Sequence, residues 1–303
     1  DIKECARAFT GWTIANREYM ELRSQRDSDW PYGRISWHFE FHPEDHDYDE
    51  KTFLGETGNF NGDDIVDIIC KQPATARFIA RHLYSFFVAD EPPVPEWPYT
   101  PPRAPEAIET LVQAYFDNDY NIGPVLRVLF NSDFFKAEDV RYTKVKSPVE
   151  LVAGVLRLTG EFDRPRYEIL DRFNQATFMG QYLNNPPSVE GWHQGTDWLD
   201  SGTLVERINF ASQQIGDADK PGIQAMIGRI SAGLGEATSP ERLVDACLEE
   251  VGSLEVDEST RRTLVNFSAH GLSQKSGQGS NTDRQHIADV LQMVAATQEF
   301  QRS

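Results

Sequence analysis

Polar and apolar residues alternate from Ile35 to His42. Ile35, Trp37, Phe39 and Phe41 are apolar, and Ser36, His38, Glu40 and His42 are polar. A period of two places the two sets on opposite faces of a strand. Its partner falls within residues 12–22, across the turn-rich stretch 27–33, so a hairpin is expected over about 12–42. The remaining apolar patterns are helical. They predict helices over 1–10, 65–71, 73–88, 105–117, 124–131, 148–158, 164–177, 202–214, 222–232, 240–251, 257–269 and 283–298. Several of these carry their own punctuation. Ser147-Pro148-Val149-Glu150 supplies a capping serine, a proline for the first helical position and a glutamate to close a capping box, and Gly160 marks the stop. Pro105 and Ser239-Pro240 open helices in the same way.

Three stretches keep neither period. Residues 43–62 form an acidic loop ending in Gly55, Gly58 and Gly62. Residues 90–104 carry six prolines and read as an exposed, stiff connector. Residues 179–200, MGQYLNNPPSVEGWHQGTDWLD, lie between two helical patterns. A long irregular loop inside a compact domain is often functional, which makes this segment the one to organise the chain around. The polar, Gly/Ser-rich stretch 271–281 is expected to be mobile. The fold class that follows is mainly α: a multi-helix domain with one small β-hairpin and long ordered loops. Residues 1–215 are expected to form a helical core region holding the hairpin (about 12–42) and the central loop (179–200). Residues 216–303 are expected to form a C-terminal helical region packed on it. Ile2, Cys5, Ala6 and Phe9 already keep helical spacing behind Asp1, so the chain is expected to begin inside an element, with material upstream.

Charge narrows the partners. The formal net charge is -19, so a nucleic-acid backbone or an anionic membrane surface, both of which need a positive patch, is not expected as partner. An acidic chain is compatible with secretion and with divalent cations. No apolar run approaches the roughly 18 residues of a membrane helix. The three cysteines, Cys5, Cys70 and Cys247, each sit in an apolar helical pattern and read as small buried hydrophobes rather than a disulfide framework.

Three sets of residues are candidates for chemistry. Asp45, Asp47, Asp49 and Glu56 fall at positions 1, 3, 5 and 12 of a calcium-loop spacing, with Glu50 where a glycine is wanted. The plain alternative is a solvated acidic loop, with Arg77, Arg81 and Lys146 as its natural ion-pair partners. His38, Glu40 and His42 share one strand face and could ligate a transition metal with His46, or simply form the wet face of that strand. His46-Asp47 could orient an imidazole for general-base work, or lock the loop to the helical body. In the central loop, Trp192 and Trp198 could stack on a ligand such as a sugar. There Asn185 adds a polar contact and His193 or Asp197 acts as acid or base. The alternative is that the prolines and tryptophans plug the loop onto the core. No cofactor is named by a motif; calcium or another divalent metal is the candidate. A GxSxG elbow, HExxH and a Walker lysine loop are all missing from the sequence, and Gly233-x-Gly235 has no strand before it.

Four stretches together resemble one family. They are Ala6-Arg7-Ala8-Phe9-Thr10-Gly11-Trp12; His46-Asp47 with Lys51 and Leu54-Gly55; Pro73-Ala74-Thr75-Ala76-Arg77-Phe78-Ile79-Ala80; and Lys146-Ser147-Pro148-Val149-Glu150-Leu151 followed by Met179-Gly180-Gln181, Asn185-Pro186-Pro187 and Gly191-Trp192. The pattern resembles the bacterial DUF1800 family, over about residues 1–215, with a looser tail ending in Glu299-Phe300. The resemblance implies a mostly helical, exported protein, periplasmic or extracellular, with no established reaction. It also implies a longer N-terminal helical half, absent from this chain. The function expected on these grounds is a binding or assembly module that works with a partner protein at the cell envelope or outside. The alternative is a metal-assisted hydrolase using His46, Asp47, His193 and Asp197 between the 38–56 and 184–198 loops. A blander reading makes the chain one structural half of a larger protein.

Overall fold

Helix punctuation in the sequence is built as geometry. In the computed structural model, which describes residues 1–15, 37–162, 164, 166–189, 191–234, 239–273 and 280–303 (without the side chains of 272, 273 and 280–283), Ser147 and Glu150 make both capping-box bonds. Gly160 ends that helix at φ 62°, a left-handed conformation that a side chain would strain. Among the described residues there are thirteen α-helices and two two-stranded antiparallel sheets, so the fold is mainly α. None of these helices is long and apolar enough to cross a membrane. The chain divides into two compact units.

The first unit comprises Asp1–Ala80 and Ile108–Arg127. It opens with α1 (Ile2–Ala8), β1 (Trp12–Ala15) and β2 (His38–Phe41). β1 and β2 pair antiparallel with Trp12 opposite Phe41 and Ala15 opposite His38, the hairpin that alternation predicts. The remainder of that prediction, residues 16–36, lies outside the described residues. A second hairpin follows inside the expected acidic loop, β3 (Lys51–Phe53) against β4 (Glu56–Gly58). Phe53 points from it into a small core with Ala8, Ile65 and Ile68. Helix α2 (Gly62–Cys70) begins three residues before its apolar pattern does, because Asn61 caps it and exchanges bonds with Asp64. Helices α3 (Pro73–Phe87), α4 (Pro105–Asp117) and α5 (Ile122–Asn131) follow; residues 108–117 and 122–127 belong to this unit. Within it the Tyr115 hydroxyl donates to the carbonyl of Cys70 at 3.1 Å.

The second unit comprises Arg81–Ala107 and Val128–Ser303. Its helices are α6 (Asp133–Lys136), α7 (Pro148–Thr159), α8 (Ile169–Phe178), α9 (Ser201–Ile215), α10 (Pro221–Leu234), α11 (Pro240–Glu250), α12 (Glu258–Ser273) and α13 (Ser280–Ala295). One apolar core joins all of these but α6 across residue 215: Leu151 and Val155 of α7, Ala176 of α8, Phe210 and Ile215 of α9, Ile227 of α10, Val244 and Cys247 of α11, Leu264 of α12, and Leu291 of α13. All three cysteines are free thiols, and burial pushes the Cys247 thiol up to about 12. The segment 274–279, part of the stretch expected to be mobile, lies outside the described residues.

The proline-rich stretch is largely exposed, as its composition suggests, but it is tied down at its start, where Asp90 and Glu91 are both buried. Glu91 takes Nε of Arg81 at 2.6 Å and the backbone N–H of Arg103 at 2.9 Å, so its carboxylate clamps both ends of the strap. The Arg81 guanidinium lies over the Trp97 ring, 4.7 Å from its centre, and the Trp97 indole donates to the carbonyl of Pro92. Arg81 is thus the partner of Glu91 and not of the acidic loop. A proline run leaves few backbone donors of its own, and a buried glutamate reaching its far end compensates for that.

Candidate functional site

In the first unit, the acidic loop spends its charges on itself. Asp47 receives Nε of Arg7 at 2.7 Å and Nη2 at 3.2 Å, and accepts the N–H of Asp49 at 2.9 Å. The Arg7 hydrogen bond, with help from that amide, holds the Asp47 carboxyl down to about 2. His46 Nδ1 lies 2.8 Å from the carbonyl of Thr10, which can only accept, so the ring proton sits on Nδ1. The His46 ring meets Phe41 and Tyr48 edge-on. The Thr10 hydroxyl takes the N–H of Asp47 and donates to the carbonyl of Arg7. Lys51 is 1% exposed, and its ammonium donates to the carbonyls of Asp47 and Asp49. A side-chain cation therefore sits on the carbonyls at the middle of the calcium-like spacing.

The other proposed ligands in this unit are dispersed. Glu56 is exposed on β4, and His38 is exposed on β2. His42 lies 3.6 Å from Glu40 and 3.7 Å from Asp45, all at the surface. Among the described residues no group of three or more His, Cys, Asp or Glu side chains is arranged to hold a metal ion.

In the second unit the central loop behaves differently. Asn184 adopts φ 62°, and the N–H of Asn185 returns to the carbonyl of Tyr182, closing a tight turn with Asn185 exposed. The Trp192 indole donates to that same carbonyl of Tyr182 at 3.1 Å. Trp198 is 4% exposed and its carbonyl takes the Thr203 hydroxyl. His193 and Asp197, four residues apart, come to 3.7 Å at the surface. Asp200 caps α9 by accepting the N–H groups of Gly202 and Thr203. Trp198 anchors the loop, then, while Trp192 and His193 are left facing outward.

They face a cleft of about 770 Å³. Its walls include Phe86 and Phe87 at the end of α3, Trp192 and His193 of the loop, and Trp198 beneath. Two carboxylates line it, Asp90 and Glu150, neither of which is a metal or catalytic candidate by sequence pattern. Asp90 Oδ2 accepts the N–H of Val145 at 2.9 Å, and Glu150 Oε2 accepts the N–H of Ser147 at 2.6 Å. The second oxygen of each carboxylate has no bonded partner among the described residues. Burial pushes the Asp90 carboxyl above its ordinary value. Gly195 passes directly over it: a Cβ there would lie 3.3 Å from the carboxylate, and its φ of 59° favours glycine as well. The usable signal in the sequence was Asp90-Glu91, an acidic pair wedged between an apolar helix end and a proline run.

With this geometry in hand, the comparisons decide the family. The sequence model described as "Protein of unknown function (DUF1800)" matches residues 1–302. The chain belongs to the DUF1800 family. The match runs past residue 215, beyond which the resemblance in the sequence was only loose, to within one residue of the end of the second unit. No curated protein and no solved structure matches this DUF1800 chain.

Behind the cleft lies a buried cationic frame. Arg207 is fully buried, donating Nε to Gln301 at 3.1 Å and Nη2 to the carbonyl of Lys146 at 2.7 Å. Its Nη1 has no partner among the described residues, and burial lowers its pKa to about 10. Lys146 donates to the carbonyl of Phe300 at 2.8 Å, and burial, reinforced by Arg207, brings its ammonium down to about 8. The backbone N–H of Lys146 donates to the carbonyl of Gln301 at 3.0 Å. Like Arg81, Lys146 serves its own unit, contrary to the expectation that it pairs with the acidic loop.

Proposed function

We propose that this DUF1800 protein is a binding module that acts with a partner protein at the cell envelope or outside the cell. The observation that supports the reading is the cleft of the second unit. It combines a drug-sized volume, aromatic walls and two carboxylates with unused oxygens, the usual make-up of a recognition site. The envelope setting draws on the family resemblance and on the acidic charge, and fractionation of producing cells tests it. The metal-assisted hydrolase draws less support, since His46 and Asp47 are committed to Thr10 and Arg7.

The test is a melting-temperature screen of the purified chain against lysine-rich peptides, glutamate-rich peptides and neutral oligosaccharides. A binding module is stabilised by its ligand through mass action, by roughly 2.7 kcal/mol at a hundredfold excess over Kd. At least one class should raise the melting temperature, and Trp192→Ala should abolish the rise. If no class shifts the melting of the wild type, the binding reading fails.

A further inference from the structure

We propose that the cleft seats a lysine or arginine side chain presented by an extended segment of the partner protein, an inference that rests on the binding-module reading above. The charge inventory of the cleft drives it. Its acids are Asp90 and Glu150, each holding one oxygen on a backbone N–H and leaving the other unspent. Asp90 is 8% exposed and lines the cleft. The positive groups are already committed. Lys144 donates to the carbonyl of Phe86 and lies over the Phe86 ring, 5.3 Å from its centre. His82 packs at a tilt against Trp97, ring centres 4.6 Å apart, and burial lowers its pKa, favouring the neutral ring. His193 is drawn toward Asp197. Lys144 and Arg103 act on Asp90 at longer range, without bonding it, and Lys146 and Arg207 act likewise on Glu150.

An entering ammonium or guanidinium therefore finds two charge-assisted acceptors. It also finds the ring of Trp192, which attracts cations through its quadrupole. An anion meets two carboxylates instead, and a neutral sugar brings no charge to pair with either of them. The volume exceeds what one side chain fills, leaving room for flanking backbone. Phe86, 68% exposed, offers apolar contact to that backbone's neighbours. The occupant is thus a basic segment of a protein rather than a free polyamine.

The experiment is fluorescence anisotropy with a labelled, extended Gly/Ser peptide carrying spaced lysines. It is run beside the same peptide with norleucine for lysine, and with spermidine as competitor. Wild-type protein is expected to bind the lysine peptide at least about tenfold more tightly than the norleucine peptide. Asp90→Asn and Glu150→Gln should each weaken binding by about tenfold or more. Glu109→Gln, an exposed carboxylate of α4, should leave it unchanged. Asn at position 90 can still accept from Val145, and a circular dichroism melt of each variant verifies folding; Glu150→Gln is a second route should Asp90→Asn unfold. Equal binding of the two peptides, or full affinity in both folded cleft variants, overturns the inference. Spermidine binding as tightly as the peptide overturns the peptide source. If neutral oligosaccharides or glutamate peptides stabilise the protein in a Trp192-dependent manner while lysine peptides do not, this inference falls and the binding module stands. If nothing binds, both fall together.

Discussion

Residues 43–58 and residues 179–200 are both long, polar-rich segments, yet they dispose of their polar groups in opposite ways. In the first, Arg7 grips Asp47, His46 leans on Thr10, and Lys51 sits on two backbone carbonyls. In the second, one tryptophan is buried as an anchor, while a second tryptophan, a histidine and the free oxygens of Asp90 and Glu150 face an open cleft. The first holds more carboxylates, although the irregular second segment is the one the sequence singles out. Bookkeeping of hydrogen bonds favours the second: a group that has already met its partner has little left for a ligand.

The contrast can be broken by mutation, most strongly at Trp198. Trp198→Ala removes a buried aromatic and should cost about 4 kcal/mol of stability in urea denaturation. A loss near zero would mean that the indole is not an anchor. Lys51→Met should come next, at about 3 kcal/mol, since it strips two carbonyls of a charged donor. That variant should leave any ligand binding at the cleft intact; a parallel loss of binding would erase the distinction between the two segments. Trp192→Ala gives up one exposed hydrogen bond and should cost under about 1 kcal/mol while abolishing ligand-induced stabilisation. A large stability loss would make Trp192 a second plug.

The smallest effect concerns acid. The Asp47 carboxyl is held at about 2 by Arg7, below its ordinary value of 3.8. Its stabilising contribution is complete above that ordinary value and drains away as pH falls from about 4 through 2. Melting temperatures across that window should fall less steeply in Asp47→Asn than in wild type. Equal slopes would show that the Arg7 pair adds nothing, which solvent screening of an exposed pair would explain.

Much of the fold was readable from local chemistry. The capping box at Ser147, the stop at Gly160 and the prolines at 105, 148 and 240 mark helix ends through bonds made within a few residues, so the sequence carries them directly. The hairpin of β1 and β2 was readable because its second strand alternates over eight residues. β3 and β4 were not, since strands of three residues offer too few alternations, and their turn uses Leu54 at φ 49° rather than a familiar turn pair. The site was harder. Trp192, His193 and Trp198 were legible as an unusual loop, but their division into rim and anchor depends on burial. Asp90 and Glu150, separated by sixty positions, join one cleft only through tertiary packing, and nothing near either of them in sequence announces the other.

The capping bond at Ser147 has a further consequence. The carboxylates of Asp90 and Glu150 hang from amides two residues apart, those of Val145 and Ser147, and the residue between them is gripped by Gln301 and by Arg207. Both acids are thus fixed to one braced peptide segment before anything arrives. Little rotamer freedom remains to be lost on association, so the receptor's share of the ordering entropy is met during folding, and discrimination among ligands falls to the spacing between two oxygens held on a rigid frame.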